Sequence, residues 1–240
     1  MKIDLLAFGA HADDAELGAG GTLIRAARGG SSTGIVTLTR GEMGSRGGVA
    51  ERAAEFDAAA AALGLTHHAM LDLPDGRLAS DERSREAVVR VLRDLRPQLV
   101  LAPFWEDRHP DHGAASRIVQ DAVFLAGLAR LETGQPPHRP AQIIYYMAAW
   151  EFEPSFVVDI SAQFEQKQAA LACYLSQLHN PHRRSDEPGT FISSEHYTKL
   201  LAARAAHYGR LIGKAYGEPF RIRGLVEVPD LFAAFGGRTY

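Results

Sequence analysis

Two short stretches of the 240-residue chain concentrate side chains that bind metal ions. Residues 11–16 read HADDAE, which places one histidine and two carboxylates within four positions. Residues 105–113 read WEDRHPDHG and hold two histidines and three acids within seven positions. Imidazole and carboxylate groups are both ligands of Zn²⁺, and three protein ligands with one open position are typical of catalytic zinc. The two stretches therefore predict a catalytic metal centre.

Each stretch taken alone also has a purely structural interpretation. Residues 11–16 could be a polar loop before a helix, because acidic side chains near a helix N-terminus are favoured by the helix dipole. Residues 105–113 could be a surface loop, although such a loop has no need of imidazoles. The presence of both stretches in one chain favours the metal site over either structural interpretation.

The elements around these stretches alternate between short apolar strands and longer helical patterns. Predicted strands cover residues 3–10, 34–39, 69–73, 99–102, 143–147 and 156–160. Predicted helices cover residues 18–28, 49–63, 84–95, 111–131, 163–175 and 195–215. The alternation predicts one α/β domain over residues 1–240, a Rossmann-like three-layer sandwich with a mostly parallel sheet. Ligands of such folds bind at the carboxyl ends of the strands, where both stretches lie.

Several function classes are disfavoured by the sequence. The formal net charge is −3, so no basic footprint for nucleic acid or a polybasic membrane contact is expected. No signal peptide and no apolar stretch near the ~20 residues of a membrane span are visible, and we expect a cytoplasmic protein. The single cysteine, Cys173, lies in an apolar stretch, which favours a core residue in a reducing compartment.

Two other catalytic patterns are absent or misplaced. The glycines of residues 18–21 do not follow the first strand directly, as a dinucleotide-binding fingerprint requires. We expect them instead to let the next helix start close to the metal loop. No Gly-x-Ser-x-Gly elbow occurs, so Ser-His-Asp hydrolysis is not supported.

Together, the two stretches resemble the paired signatures of the LmbE-like (PIG-L) N-acetylglucosamine deacetylases. Most members carry proline at the position of Ala12. The form found here, AHADD, is similar to that of the bacillithiol-biosynthesis deacetylases, which act on N-acetylglucosaminyl-malate. Residues 39–44, TRGEMG, and 213–220, GKAYGEPF, resemble the same branch. The resemblance spans nearly the whole chain and implies a zinc-dependent amide hydrolase.

The resemblance also implies roles for individual residues. It places zinc ligands at three positions: His11, Asp14 and His112. Asp13 resembles the general base, which would take the proton of the attacking water. Asp111 and His109 resemble a supporting acid–imidazole pair, in which Asp111 would orient His109 and favour its charged form. Tyr197 resembles a mobile tyrosine that polarises the scissile carbonyl.

Substrate contacts are implied at Arg52, Glu42 and Gln177. A malate carboxylate requires a cation, for which Arg52, Arg46 and Arg184 are candidates. The polar segment that starts at Gln177 is long enough to form a lid or rim. The partner implied by the resemblance is a small N-acetylglucosaminide, and homo-oligomers, trimers or hexamers, are expected.

Three alternatives remain open at the level of sequence. Two histidines and one carboxylate also form the facial triad of non-haem Fe²⁺ sites, although the neighbouring acid Asp13 favours hydrolysis. The substrate could be another glycoside, such as a glucosaminyl-inositol, chitobiose or an antibiotic precursor. A non-catalytic nucleotide-binding or metal-binding Rossmann-like module is the third interpretation, against which the two ligand-bearing loops and Asp13 count.

Overall fold

A computed structural model describes residues 2–183 and 186–236 and shows one seven-stranded sheet with helices on both faces. The strands are β1 (Leu5–Gly9), β2 (Thr33–Thr37), β3 (His67–Met70), β4 (Leu99–Pro103), β5 (Gln142–Tyr146), β6 (Phe156–Asp159) and β7 (Gly217–Arg221). The helices are α1 (Asp14–Arg28), α2 (Val49–Leu63), α3 (Glu82–Leu95), α4 (Pro110–Ala126), α5 (Phe164–Leu171), α6 (Glu195–Leu211) and α7 (Leu231–Phe235).

The strand order is β3-β2-β1-β4-β5-β7-β6. The pairs β3–β2, β2–β1, β1–β4 and β4–β5 are parallel, whereas β7 runs antiparallel to both of its neighbours. The predicted α/β class with a mostly parallel sheet is therefore confirmed. Because β1 and β4 are adjacent, the loops that follow them open side by side at the same edge.

The central strand β1 is buried on both sides, as its continuous apolar sequence requires. Leu6 and Phe8 belong to an apolar cluster that includes residues of α3 and α4. Leu5 and Ala7, which point to the opposite face, belong to a second cluster with α1, α2 and α5. The two clusters place the sheet between two helical layers, which is the predicted three-layer sandwich.

Helix α1 begins at Asp14, four residues earlier than the sequence pattern predicts. The expected role of the glycines in residues 18–21 is therefore wrong, because they lie inside the helix. A Cβ atom at Gly18 would lie 2.2 Å from Cδ2 of Tyr146, and one at Gly21 would lie 2.8 Å from side-chain atoms of Ile160. These glycines allow α1 to pack closely against the sheet and the segment after β6.

The sequence pattern does not predict strand β7, because its sequence GEPFR contains glycine and proline, which are uncommon inside sheets. Its position depends on contacts that are distant in sequence. The Glu218 carboxylate accepts hydrogen bonds from the backbone N–H groups of Gly21 and Thr22, at 2.8 and 2.7 Å. Lys167 Nζ lies 2.7 Å from the same carboxylate. The strand is thus held by a buried polar cluster rather than by its own strand propensity.

Helix α4 ends at Ala126, whereas the pattern predicts a helix to residue 131. The buried Arg93 guanidinium of α3 donates hydrogen bonds to the carbonyl oxygens of Ala126, Leu128 and Leu131. These bonds provide donors to carbonyl groups at and just after the helix end. Helices α5 and α6 also end about one turn earlier than predicted, at Leu171 and Leu211.

Cys173 is half-buried and packs against the apolar cluster that contains α5. Its Sγ atom lies 3.6 Å from the carbonyl oxygen of Ala169. In the part of the chain that the structure describes, every helix is too short or too polar to cross a membrane.

Candidate metal centre and active site

The two histidine-bearing stretches meet where β1 and β4 end. The residues after β1 lead into α1, which begins at Asp14, and those after β4 lead into α4, which begins at Pro110. His112 Nε2 lies 3.0 Å from Oδ1 of Asp14, and His11 Nδ1 lies 3.5 Å from Oδ2 of Asp14. The three predicted metal ligands are therefore brought together from two loops about 100 residues apart.

The remaining nitrogen of each predicted histidine ligand faces a carboxylate. His11 Nε2 lies 2.8 Å from Oδ1 of Asp75, and His112 Nδ1 lies 2.9 Å from Oδ1 of Asp107. Metal-ligating histidines commonly bond a carboxylate through their other nitrogen, because this fixes the ring and makes the ligating nitrogen more basic. The arrangement leaves His11 Nδ1 and His112 Nε2 directed at Asp14.

The supporting carboxylates are themselves fixed by backbone groups. Oδ2 of Asp107 accepts hydrogen bonds from the N–H groups of Ala149 and Trp150, at 2.8 and 3.0 Å. Oδ2 of Asp75 accepts one from Met43 N–H, at 2.8 Å. The loops after β2, β3, β4 and β5 therefore all contribute to the orientation of the two histidines.

The charges around the two histidines require a cation. Burial lowers the pKa of His112, but the carboxylates of Asp14 and Asp107 outweigh it and raise this pKa to about 10. Burial raises the pKa of Asp14, but His112 and His11 hold it well below its ordinary range. The centre therefore holds either protonated imidazoles or a metal ion. Two imidazole nitrogens and one carboxylate are a donor set that suits a divalent cation, so the residues fit such an ion.

His109 and Asp75 extend the set of groups that could approach an ion. Ligand atoms of His11, His109 and His112 lie within 4.8 Å of one another, as do those of His11, Asp75 and Asp111. Asp14, the third predicted ligand, belongs to neither of these two groups, although its carboxylate oxygens lie 3.5 Å from His11 Nδ1 and 3.0 Å from His112 Nε2.

Asp13 lies directly beside the predicted ligands and has an unusual backbone. Its φ angle is 104°, in the left-handed region that non-glycine residues seldom adopt. Its carboxylate is buried, and Oδ2 has no hydrogen-bond partner among the described residues. Burial, together with the Asp14 charge, raises the pKa of Asp13 to about 7. Strain of this kind is common at functional sites, where the surrounding structure holds a side chain in place.

A cavity of about 280 Å³ opens beside these groups. Three predicted residues line it together with the metal centre: Arg52, Gln177 and Tyr197. The Arg52 guanidinium donates a 3.0 Å hydrogen bond to the carbonyl oxygen of Gly41, and the side-chain amide of Gln177 donates to the carbonyl oxygen of Arg46 at 2.7 Å. Burial raises the pKa of Tyr197 to about 12, so its hydroxyl remains a proton donor at neutral pH.

Glu42 does not line this cavity, in contrast to the expected substrate contact. It is exposed, and its Oε1 accepts a 2.8 Å hydrogen bond from the backbone N–H of Asp75. Glu42 therefore supports the carboxylate that orients His11. Of the other expected cations, Arg46 binds the carbonyl oxygen of Ser176 at 2.7 Å. Arg184 lies outside the described residues.

The expected pairing of the Asp111 carboxylate with His109 is not what the structure shows. Asp111 Oδ2 lies 3.6 Å from Nε2 of His11, and the carboxylate accepts hydrogen bonds from the N–H groups of Gly76 and Leu78. His109 Nδ1 instead accepts a 3.2 Å hydrogen bond from the backbone N–H of Asp111. The backbone therefore orients His109, and the pKa of His109 is lowered by burial and by His11 and His112.

Comparison with known proteins agrees with this architecture of an α/β sheet carrying a histidine–carboxylate centre. Residues 6–123 match the family described as PIG-L: GlcNAc-PI de-N-acetylase. A diacetylchitobiose deacetylase from Thermococcus kodakarensis is 30% identical, with 92% of this chain and 82% of that protein covered. The chain therefore belongs to the PIG-L family.

Further relatives differ in their named activities. A 1D-myo-inositol 2-acetamido-2-deoxy-alpha-D-glucopyranoside deacetylase from Catenulispora acidiphila is 30% identical, with 83% of this chain and 89% of that protein covered. A 4-oxalmesaconate hydratase from Pseudomonas putida is 25% identical, with 87% of this chain and 82% of that protein covered. Among solved structures, the conserved protein TT1542 from Thermus thermophilus superposes with a TM-score of 0.85 at 41% identity, covering 95% of this chain and 98% of that one.

Proposed function

We propose that the protein is a zinc-dependent hydrolase that removes the N-acetyl group from N-acetylglucosaminyl-malate, a step of bacillithiol biosynthesis. The observation that carries the hydrolase assignment is the position of Asp13. Its carboxylate adjoins the predicted ligands His11, Asp14 and His112 and lines the same cavity. The choice of an N-acetylglucosaminide is supported by family membership and by the named substrates of two relatives. The choice of malate rests on the resemblance of residues 39–44 and 213–220.

A metal ion would be held by His11, Asp14 and His112, and Asp75 and Asp107 would orient the two histidines. When bound, zinc would supply Lewis acidity, which promotes attack of water on an amide carbonyl. The same donors also suit Fe²⁺. Metal analysis of protein purified under anaerobic conditions distinguishes the two ions.

The remaining chemistry belongs to side chains of the cavity. Asp13 would take a proton from the attacking water, because its Oδ2 atom is free of other hydrogen bonds to described residues. Tyr197 would donate its hydroxyl to the carbonyl oxygen as negative charge develops there. Protonation of the departing amine would come from Asp13, which then holds the proton it took from water, or from His109 when that imidazole is protonated. In this scheme the His109 ring is oriented by the backbone N–H of Asp111 and not by the Asp111 carboxylate.

Two parts of the proposal concern the state of the protein in the cell. A homo-oligomer, trimer or hexamer, is supported by the family resemblance, and a cytoplasmic location by the lone cysteine. Size-exclusion chromatography with light scattering measures the subunit number. A monomer at micromolar concentration would contradict the first of these expectations.

The test of the function is direct. Metal-replete protein is incubated with N-acetylglucosaminyl-malate, diacetylchitobiose and an N-acetylglucosaminyl-inositol, and released primary amine is measured. We expect the highest kcat/KM for the malate glycoside. Higher values for either other compound would assign the protein to another deacetylase of N-acetylglucosaminides. Release of no amine from any of the three would remove the deacetylase proposal, and hydration of 4-oxalmesaconate would then be measured because one relative carries that activity.

A further inference from the structure

One wall of the cavity contains an arginine to which the proposed mechanism gives no role. Arg108 lies between Asp107 and His109 and lines the cavity with Tyr197. Its guanidinium carbon lies 5.3 Å from the ring centroid of Phe191, and the Phe191 ring lies 5.1 Å from that of Tyr197. Phe191 therefore packs against both Arg108 and the tyrosine that we place at the scissile carbonyl. Stacking on an aromatic ring restrains a guanidinium and leaves its N–H edge available.

The backbone of Arg108 is fixed on both sides. Oδ1 of Asp107 accepts a 3.1 Å hydrogen bond from the backbone N–H of His109, which closes a tight turn around Arg108. The same carboxylate is bound by His112 and by two backbone N–H groups. The position of the Arg108 Cα atom is thus coupled to the metal centre, and its long side chain extends from a rigid base.

Four other arginines, of which Arg52 also lines the cavity, have hydrogen-bond partners. Arg52 is buried and donates to the carbonyl oxygen of Gly41, and Arg204 donates to that of Ala148 at 2.6 Å. Arg183 binds both Glu51 and Glu187, and Arg46 binds the carbonyl oxygen of Ser176. Within residues 2–183 and 186–236, no carboxylate lies within 4.0 Å of the Arg108 guanidinium. Arg108 is thus an exposed residue that lines the cavity, and its guanidinium forms no ion pair with a described acid.

We infer that Arg108 is the specificity residue that binds a carboxylate of the aglycone, the group attached to C1 of the sugar. The inference rests on the proposed function, since the N-acetyl group sits on C2 of the sugar, its neighbour C1 carries the aglycone, and Arg108 lines the same cavity as Tyr197. A guanidinium binds a carboxylate through two parallel N–H···O hydrogen bonds, whereas a neutral sugar offers no such partner. Arg108 thus takes the role that the sequence pattern suggests for Arg52, Arg46 and Arg184.

The experiment compares two substrates that differ in the charge of the aglycone. N-acetylglucosaminyl-malate and its dimethyl ester are hydrolysed by the wild type, Arg108→Gln and Arg108→Lys. Arg117→Gln is the matched control, because Arg117 is an exposed arginine on α4 that pairs with Asp121. We expect Arg108→Gln to lower kcat/KM for the diacid about tenfold to hundredfold, mostly through KM, because a hydrogen-bonded charge pair is lost. For the ester the loss should be at least tenfold smaller, and Arg108→Lys should recover part of the activity on the diacid.

Equal losses on the two substrates would overturn the inference, because they would show a structural role. No loss on either substrate would overturn it as well.

If the wild type hydrolyses neither glycoside, the proposed function fails, and calorimetric titration with glucosaminyl-malate and its dimethyl ester then tests Arg108 alone. Weaker binding of the diacid in Arg108→Gln, with a smaller change for the ester, would support the carboxylate site. Identical affinities of wild type and variant for the diacid would reject it.

Discussion

Nε2 of His11 lies 2.8 Å from Oδ1 of Asp75, although the two residues are 64 positions apart. This contact leaves Nδ1 of His11 facing Asp14, so the ring is oriented before any ion binds. Asp75 is held in turn by the N–H of Met43 and by Glu42, which accepts the N–H of Asp75. The loop that follows β2 therefore reaches the candidate metal centre through Asp75.

Asp75→Asn should weaken metal affinity about 10–100-fold, because outer carboxylates raise the basicity of a ligating histidine and fix its ring. The measurement is a chelator competition at constant pH. Asp72→Asn is the control, since Asp72 is an exposed acid in the same loop whose carboxylate pairs with Arg40 at the surface. Unchanged affinity in Asp75→Asn would show that His11 is oriented by Asp111 alone.

Two substitutions of Asp13 can distinguish its catalytic role from its structural role, because its backbone lies in the left-handed region. Asparagine tolerates positive φ and has the same shape, so Asp13→Asn should fold and bind metal normally. Its kcat should fall about 10²–10⁴-fold, because the general base is lost. Asp13→Ala should also lose stability, since alanine is disfavoured in this conformation. Metal content and thermal unfolding are measured beside activity, and near wild-type turnover in Asp13→Asn would reject Asp13 as the base.

Much of the fold follows from the sequence, because the parallel strands are short, apolar and separated by helices. The position of the candidate metal centre follows as well, because its predicted ligands lie directly after β1 and β4. The sequence does not single out Asp75, although it lies two residues after Leu73, where the third predicted strand ends. An acid in that position is ordinary in a turn, and only the three-dimensional contact with His11 distinguishes it.

The role of Asp111 does not follow from spacing either. Asp111 and His109 are two residues apart at the start of α4, which makes a direct pair a reasonable expectation. On a helix, however, residues two apart point in different directions. The carboxylate of Asp111 consequently reaches Gly76, Leu78 and His11 on the neighbouring loops. Strand β7 escapes prediction for a related reason, since its position depends on the contacts of Glu218 with α1 and α5.

Substitution by alanine should affect the free energy of unfolding differently at two glycines of α1, Gly18 and Gly20. Gly18→Ala would place a Cβ 2.2 Å from Tyr146, a fully buried ring whose hydroxyl donates to the carbonyl oxygen of Phe8. We expect a loss of unfolding free energy of about 1–3 kcal/mol or more from overpacking. Gly20→Ala is the control within the same helix, because its nearest atom would be Lys167 Cγ at 3.5 Å.

Since alanine is favoured over glycine in a helix interior by about 1 kcal/mol, Gly20→Ala should leave stability unchanged or raise it. Urea unfolding of both variants with a shared m-value measures the difference. Equal effects at Gly18 and Gly20 would contradict the close approach of α1 to β5 that the structure shows.

Removing one partner of the buried ion pair Lys167–Glu218 should lower the free energy of unfolding more than replacing both partners. Lys167 Nζ lies 2.7 Å from the carboxylate and also donates to the carbonyl oxygen of Leu17, and both side chains are almost fully buried. Lys167→Met removes the cation and leaves the Glu218 charge without its partner, for which a loss of about 3–5 kcal/mol is typical. The Glu218 carboxylate retains its hydrogen bonds from Gly21 and Thr22 in this variant, which favours the lower end of that range.

A double-mutant cycle with Glu218→Gln separates the interaction between Lys167 and Glu218 from the interactions of each residue with its other neighbours. Adding Glu218→Gln to Lys167→Met should recover part of the lost stability, because the amide oxygen still accepts from Thr22 while the uncompensated charge is gone. Chemical denaturation of the four proteins gives the coupling free energy. The surface pair Arg117–Asp121 provides the reference, since exposed ion pairs contribute only about 0–1 kcal/mol. Additive effects of the two substitutions would mean that β7 is held by the Glu218–helix contacts without help from Lys167.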